Sequence, residues 1–355
     1  MSNLDAAGQK KTEGYEAVPV YDVWREKQGV PILRVESAVP NLYDVEVGPW
    51  PRFGPDVKGG HIIIDGVEDM NDACVIDIAP NGTMKAEKHM YEEFIYVLNG
   101  KGTLTIWNHQ DMKQSVEWRK GSLFAIPLNT FHELKNTGSE TSRFYVVSTA
   151  PVLMNMYHDD EFIFNCEYDF LGRFDGKDDF FTRGEALPGR LWDTNFIKDL
   201  TAFEILEWKS RGGGARNRMI EIANSAFTAH LSEMPVGVYK KCHRHGAGAN
   251  VIIVWGQGYS MLHYDGEERK KIDWKEGSVL CPGDKEWHQH FNTGDKPAAY
   301  LALRWGSRKW PVFRFVGERA GIWRGKNQIE YEEEDAAIRE IFKEELKKNG
   351  VEFKM

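Results

Sequence analysis

His243 and His245 are the residues whose type and spacing most clearly indicate chemistry. Side chains alternate across a β-strand, so two residues separated by one point to the same face. If that face lines a small barrel, His288 from a later strand can complete one side of the coordination shell of a metal ion. Three neutral imidazoles suit Fe(II), Cu, Zn, Ni or Mn to different degrees, and they leave positions open for water, substrate or dioxygen.

The second half of the chain repeats the first half at a fixed offset of 156 residues. The matched pairs include His89/His245, Gly100/Gly256, Gly102/Gly258, Trp118/Trp274, Gly121/Gly277, His132/His288 and the Asn-Thr-Gly triplets that begin at Asn136 and Asn292. Matches at glycines, tryptophans and histidines in one register indicate duplication of a folding unit. The sequence therefore predicts two similar domains.

Charge and composition exclude several classes of partner. The 355 residues carry 54 acidic and 45 basic side chains and no basic cluster, so neither nucleic acid nor an anionic membrane is expected to bind. No apolar run reaches the length of a membrane span, and the N-terminal sequence lacks the hydrophobic region of a secretory signal. The cysteines lack CxxC spacing, which argues against a disulfide framework or a cysteine zinc site. We expect a cytoplasmic protein with a small-molecule ligand.

Short apolar segments alternate with Gly, Asn and Asp turn residues in both halves, from residue 61 to about 152 and again from 230 to 305. This rhythm predicts closely spaced antiparallel strands. Residues 1 to about 20 are polar and expected to be loose. The segment 151–218 is less repetitive and rich in aromatic residues, so we expect it to pack the two units together, with a helix over residues 196–209.

The C-terminal tail has the pattern of an amphipathic helix. Acidic residues 332–335 load its first turn, Lys347 and Lys348 end it, and one apolar stripe runs between them. The stripe contains Ile338, Ile341, Phe342 and Leu346. Such a stripe needs a partner, and we expect it to cap either its own barrel or a neighbouring subunit.

The histidines and glycines of both copies fall in a pattern that resembles the cupin superfamily. Its first motif is Gly, five residues, His-x-His, three or four residues, Glu, six residues, Gly, and its second is Gly, five residues, Pro-x-Gly, two residues, His, three residues, Asn. The first copy has His89, Glu93, Gly100, Gly121, Pro127, His132 and Asn136 at this spacing. The second copy has Gly237, His243, His245, Gly256, Gly277, Pro282, His288 and Asn292. With its spacer and tail, the chain is similar in layout to bacterial bicupins such as gentisate dioxygenases and oxalate decarboxylases.

The resemblance implies an all-β protein with two double-stranded β-helix barrels of the cupin type, a few short helices and a C-terminal helix. The expected organisation is an N-terminal arm (1–55), a first barrel (56–152), an inter-barrel segment (153–218), a second barrel (219–315) and a helical tail (316–355). Bicupins often associate through barrel edges, so a homo-oligomer is expected.

Departures from the family pattern separate the two copies. Glu87 stands where the family has its first histidine, so the ligands of a second metal site would be Glu87, His89, Glu93 and His132. The alternative is that Glu87 and Glu93 pair with basic residues, and that the first barrel has only a structural role in supporting the second. The second copy has Ala249 where the family has glutamate, which leaves three histidines without a carboxylate. Within the superfamily, that arrangement resembles the iron dioxygenases rather than the manganese decarboxylases.

Several further residues are candidates for substrate contact. His290 lies two residues after His288 and should face the same side, where it could orient substrate, act as acid or base, or only hydrogen-bond within the core. Tyr239, Trp255 and Trp287 could wall a pocket for an aromatic substrate, with Asn292 beside them, or could serve packing.

Three hypotheses for function follow. The first is an Fe(II) dioxygenase, with Mn, Ni or Zn as other candidate metals, that uses dioxygen to cleave a C–C bond of a small, anionic, chelating aromatic or enolic acid. The second is a metal-dependent lyase, decarboxylase or isomerase in which Glu87 or Glu93 transfers protons. The third is a non-catalytic binding or storage bicupin, which predicts lost ligands in both copies.

Overall fold

A computed structural model describes residues 17–246, 249–312 and 326–355. The strands of its first half are β1 (Ile32–Val35), β2 (Ala38–Val39), β3 (Gly48–Pro49), β4 (Val57–Ile64), β5 (Asp72–Ile78), β6 (Thr83–Glu87), β7 (Glu93–Asn99), β8 (Lys101–Trp107), β9 (Lys113–Arg119), β10 (Leu123–Ile126), β11 (Phe131–Asn136) and β12 (Ser142–Ser148). Those of its second half are β13 (Gly184–Leu187), β14 (Leu191–Thr194), β15 (Phe196–Ile197), β16 (Leu206–Glu207), β17 (Arg216–Ile222), β18 (Phe227–Met234), β19 (Asn250–Trp255), β20 (Gln257–His263), β21 (Lys270–Lys275), β22 (Val279–Leu280), β23 (Trp287–Asn292) and β24 (Ala298–Trp305). The α-helices are α1 (Val20–Lys27), α2 (Ala150–Tyr157), α3 (Asp160–Asn165) and α4 (Ala336–Lys348).

Each half of the described chain forms a large sheet packed on a small one. In the N-terminal barrel, eight strands in the order β1-β4-β5-β12-β7-β10-β15, with β3 beside β4, lie against β6-β11-β8-β9. In the C-terminal barrel, nine strands in the order β13-β14-β17-β18-β24-β19-β22-β2, with β16 beside β17, lie against β21-β20-β23. The strand order is the same in both halves, so the predicted duplication of an all-β barrel is confirmed.

The repeated glycines mark places where two strands approach closely. A Cβ on Gly102 would lie 1.9 Å from the carbonyl oxygen of Lys135, and a Cβ on Gly258 would lie 1.9 Å from that of Phe291. Since both positions exclude any side chain, the backbone geometry itself requires the same residue in both copies.

Short strands from outside each barrel tie the two halves together. In the N-terminal arm, β2 pairs with β22 of the C-terminal barrel, while β15 of the inter-barrel segment pairs with β10 of the N-terminal barrel. The two large sheets also bury one shared core, to which Val75 and Tyr145 contribute from one side and Leu301 and Leu303 from the other. The expectation that the inter-barrel segment packs the units together agrees with this arrangement.

The helix predicted over residues 196–209 is wrong. The chain there forms β15, a 3₁₀ turn over Leu200–Ala202, and β16. Pairing of Phe196 and Ile197 with an exposed edge of the first barrel satisfies their backbone groups, and this tertiary contact outweighs the local helical pattern.

The predicted tail helix is confirmed as α4. Asp335 caps it by accepting a hydrogen bond from the Ala337 amide. Its stripe residues Ile338, Phe342 and Leu346 are buried in one cluster with Tyr239, Tyr259 and Phe291 of the C-terminal barrel. The stripe therefore caps its own barrel.

The two ends of the predicted domain map are only partly described. Most of the segment expected to be loose, residues 1 to about 20, lies outside the described residues, as does the expected start of the tail at residue 316. In the parts of the chain that the structure describes, no helix has the length and apolar character needed to cross a membrane.

Candidate metal centres

Three histidines converge inside the C-terminal barrel. His243 and His288 face each other across an antiparallel bridge in which each backbone amide donates to the carbonyl of the other, at 3.0 and 2.8 Å. Their ring centroids are 4.2 Å apart, and the ring of His245 lies 5.7 Å from His243 and 4.8 Å from His288. One nitrogen from each ring lies within 4.8 Å of the other two. The cluster predicted from the sequence is therefore assembled.

Backbone carbonyl groups orient these rings. The Nδ1 atoms of His243, His245 and His288 contact the carbonyl oxygens of Lys241, Gly246 and Glu286 at 3.3, 3.2 and 2.9 Å. Hydrogen bonds of this kind place the ring proton on Nδ1 and leave Nε2 as the electron-pair donor, as in most histidine ligands of metals. The three Nε2 atoms are thus prepared to bind one ion.

Burial keeps the three rings neutral. It lowers the pKa of His288 to about 4, and it lowers the pKa values of His243 and His245 well below the ordinary range. A protonated imidazole cannot bind a metal, so neutral rings at pH 7 fit a divalent cation.

The charges around this cluster are cationic. Arg211 and Arg304 both lower the pKa values of His245 and His288 further. Ala249, at the position of Glu93 in the first copy, lies one residue beyond the pairing of Asn250 with Leu303, which places it opposite Arg304. The second barrel therefore has the methyl group of Ala249 where the first has the carboxylate of Glu93, and the guanidinium of Arg304 lies on the neighbouring strand.

A second cluster occupies the equivalent place in the N-terminal barrel. Glu87 pairs with His132 as His243 pairs with His288. The Nε2 atom of His132 lies 3.8 Å from a Glu87 oxygen and 3.9 Å from a Glu93 oxygen, and the Nε2 atom of His89 lies 3.7 Å from Glu93. All four predicted residues are thus brought together.

The N-terminal donors also fit a divalent metal. The Nε2 atoms of His89 and His132 are buried and make no hydrogen bond within the described residues, while their Nδ1 atoms contact backbone carbonyls. Burial, and then the charge of Glu87, raises the pKa of Glu93 well above the ordinary range. Without a cation, Glu93 therefore holds a proton more readily than an ordinary glutamate. A divalent ion would replace that proton and bind the carboxylates together with the two unpaired nitrogens.

Arg52 supplies one such cation, and the sequence patterns did not indicate it. Its guanidinium forms an ion pair with Glu87 at 2.5 Å and extends from a 3₁₀ turn of the N-terminal arm. Tyr91 was missed as well, although its ring stacks on that of His89 at 3.7 Å. Both residues reach the site through contacts that no motif spacing records.

His290 lies next to the C-terminal cluster on the predicted face. Its ring is 5.7 Å from that of His288, and its Nδ1 atom is 2.8 Å from Ser260 Oγ. Ser260 Oγ accepts a hydrogen bond from Trp274 Nε1 at 2.9 Å and shares a second one with His290 Nδ1. When the Ser260 hydroxyl donates in that second bond, the Nε2 atom of His290 carries the ring proton.

The structure does not bring the four predicted substrate contacts to the cluster. Tyr239 packs on the tail helix and donates a hydrogen bond to Glu334, and Trp255 packs against the core between the barrels. Trp287 donates to Asp265, on the strand face opposite His288. The side-chain amide of Asn292 is used by three backbone carbonyls, of Met234, Pro235 and Lys296.

Comparison with known proteins agrees with this architecture. Residues 74–148 match the family model of the cupin domain. The N-terminal barrel therefore contains a cupin domain, and the C-terminal barrel repeats its strand order. No curated protein sequence matches it significantly.

Solved structures with a similar two-barrel fold include oxalate decarboxylases. A variant of the Bacillus subtilis enzyme is 13% identical, with a TM-score of 0.50 over 76% of this chain and 78% of that chain. A second B. subtilis variant is 13% identical, with a TM-score of 0.51 over 83% and 86%. The Lactobacillus farciminis enzyme in complex with formate is 11% identical, with a TM-score of 0.52 over 77% and 86%. At such identities the likeness concerns the fold.

Proposed function

We propose that this protein is a metal-dependent enzyme whose C-terminal barrel binds a divalent ion on His243, His245 and His288. The most specific form of the proposal is an Fe(II) dioxygenase that cleaves a C–C bond of a small chelating aromatic or enolic acid. The observation that carries it is a set of three neutral imidazoles beside Arg211 and Arg304, without a carboxylate at the position of Ala249.

Charge explains why such a site suits an anionic substrate. Three neutral ligands leave the full charge of a divalent ion uncompensated, and the guanidinium groups add to it. Arg304 makes no ion pair within the described residues and its Nε atom is buried without a hydrogen bond, so it can bind a carboxylate of the substrate. When bound, iron would supply a Lewis-acidic centre and a route for electrons from substrate to dioxygen.

His290 has a defined part in this proposal. Ser260 and Trp274 fix its orientation, and in the tautomer that carries the ring proton on Nε2, this group can donate a hydrogen bond to a substrate oxygen beside the histidine cluster. As a neutral donor it would stabilise developing negative charge on that oxygen without a net proton transfer.

The test is oxygen consumption by protein reconstituted with Fe(II), using gentisate, salicylate, catechol and a β-diketone as a panel. We expect uptake of dioxygen with at least one compound, and loss of that uptake in His245→Ala protein. Replacement of iron by zinc should abolish uptake while the ion remains bound. Iron-loaded protein that consumes no oxygen with any member would count against the dioxygenase.

A second candidate is a manganese-dependent or other divalent-metal lyase, decarboxylase or isomerase. The observation that favours it is the N-terminal cluster, in which Glu87 and Glu93 converge with His89 and His132. Oxalate decarboxylases are among the solved structures with a similar fold, which adds support. Turnover without net consumption of dioxygen that is lost in His89→Ala protein would favour this candidate, and turnover that consumes one dioxygen per substrate would exclude it. Because both clusters retain their donors, a non-catalytic bicupin gains no support.

A further inference from the structure

The interior of the C-terminal barrel is polar at positions where the N-terminal barrel is apolar. At the offset of 156 residues, the exchanged pairs are His230/Cys74, Ser232/Ile76, Lys240/Met84, Ser260/Leu104, His290/Leu134 and Tyr300/Phe144. The six N-terminal members all belong to one buried hydrophobic cluster. A barrel of the same fold is therefore stable with an apolar interior, so the polar layer needs an explanation other than packing.

Lys240 is the centre of this layer. Its side chain is 1% exposed, and its ammonium group donates to Ser232 Oγ at 2.5 Å and to Tyr300 Oη at 3.2 Å. It also lies 4.3 Å from the centre of the Tyr300 ring. Within the described residues it has no ion pair with a carboxylate, although a buried ammonium group without a counter-charge is costly.

Unpaired polar atoms line the same space. Asn217 is fully buried, both polar atoms of its amide lack a hydrogen-bond partner within the described residues, and it lies opposite Ser232 in the strand register. The buried Nδ1 atom of His230, whose ring is 5.8 Å from that of Tyr300, is also without a partner there. Buried polar groups are normally hydrogen-bonded, so this set indicates a ligand that supplies the missing hydrogen-bond partners.

The polar layer adjoins the histidine cluster. The ring of His290 lies 5.7 Å from that of His288 on one side and 4.8 Å from that of Tyr300 on the other. A small molecule bound to the three histidines could therefore extend its other end toward Lys240.

We propose that Lys240, Tyr300 and Asn217 form a subsite for a carboxylate of the substrate, whose opposite end binds the metal. The inference rests on the metal site proposed above and narrows its substrate to a small molecule with two anionic groups. Lys240 provides the charge, while the Tyr300 hydroxyl and the Asn217 amide donate hydrogen bonds. A carboxylate is the group that accepts from all three donors and also neutralises the buried ammonium.

The test uses protein loaded with zinc, which is redox-inert, and calorimetric titration with acetate, oxalate, malonate, succinate and glutarate. At least one dicarboxylate should bind more tightly than acetate by about tenfold or more, as expected for one additional charge-assisted hydrogen-bonded contact. Lys240→Met places at this position the residue that the N-terminal barrel has there, Met84. The variant should bind that dicarboxylate no more tightly than it binds acetate, and its zinc content should be unchanged. Lys275→Met removes an exposed lysine from the same barrel and should bind as the wild type does.

Tyr300→Phe provides a second test, because it removes one hydroxyl and copies Phe144. We expect it to weaken the preferred dicarboxylate several-fold and to leave acetate unaffected, even if Lys240→Met fails to fold. Dicarboxylate binding that is equal in the wild type and both variants would refute the subsite, as would zinc-loaded protein with no preference over acetate. Failure of the wild type to bind zinc would instead remove the metal site, and this inference with it.

Discussion

The stability of the metal-free protein should fall on acidification because of the buried histidines. In the unfolded chain His288 has its ordinary pKa of 6.5. In the folded protein, burial lowers the pKa of His288 to about 4. Between these values the unfolded state binds the extra proton, so stability is present above pH 6.5 and is lost as the pH falls. At about pH 5 the difference from His288 alone amounts to about 2 kcal/mol, since one pKa unit corresponds to about 1.4 kcal/mol.

Urea unfolding followed by tryptophan fluorescence, at about pH 7 and about pH 5, measures this difference. His288→Gln is the matched control, because glutamine keeps a polar side chain but takes up no proton. We expect the variant to lose about 2 kcal/mol less than the wild type between the two pH values. Equal losses would mean that burial does not lower the pKa of His288, and the account of its ring as buried and held neutral would be wrong.

Three further perturbations test other parts of the structure. Arg52→Ala leaves the mostly buried Glu87 without its cation and should lower the free energy of unfolding of metal-free protein by about 3 kcal/mol. Part of that loss should return with added Mn²⁺, and identical unfolding curves with and without the ion would argue against metal binding there. Phe342→Ala should lower the free energy of unfolding by about 3 to 5 kcal/mol in chemical denaturation, whereas Glu344→Ala, at an exposed position, should change it little. Similar unfolding midpoints for the two variants would contradict the docking of the tail helix. Gly102→Ala should cost at least about 1 to 3 kcal/mol in the same assay, because its Cβ collides with backbone, and a neutral effect would contradict the strand approach.

Much of the fold and the main cluster could be predicted from the sequence because both depend on local periodicity. The spacing of two residues predicted that His243 and His245 face the same side, and the offset between copies predicted His288 opposite them, as His132 lies opposite Glu87. The acidic first turn and the apolar stripe were likewise sufficient for the tail helix.

Local periodicity failed where the strand register shifts. Tyr239 pairs with Phe291, but His243 pairs with His288, so one extra residue lies on one side between the two bridges. Such a bulge reverses which side chains face the lumen. Tyr239 consequently points to the tail helix, and Lys240 takes the inward position that the alternation had assigned to its neighbour.

The polar layer around Lys240 is visible in the sequence as differences between the two copies, which a search for shared motifs does not detect. Motifs compare residues that are alike in the two copies, whereas this layer consists of residues that differ, such as Lys240 against Met84 and Tyr300 against Phe144. Arg304 against Ser148 is a difference of the same kind. Arg52 left no such signal, because it reaches the N-terminal cluster from the arm through a tertiary contact. The domain boundaries and the homo-oligomer stay predictions.

Metal content is the measurement that tests the central claim most directly. Elemental analysis of the isolated protein, and of His245→Ala and His89→Ala variants, reports which cluster holds an ion. We predict that His245→Ala loses the ion of the C-terminal barrel while the far-UV circular dichroism of the variant matches that of the wild type. Unchanged metal content in folded His245→Ala protein would contradict the three-histidine centre.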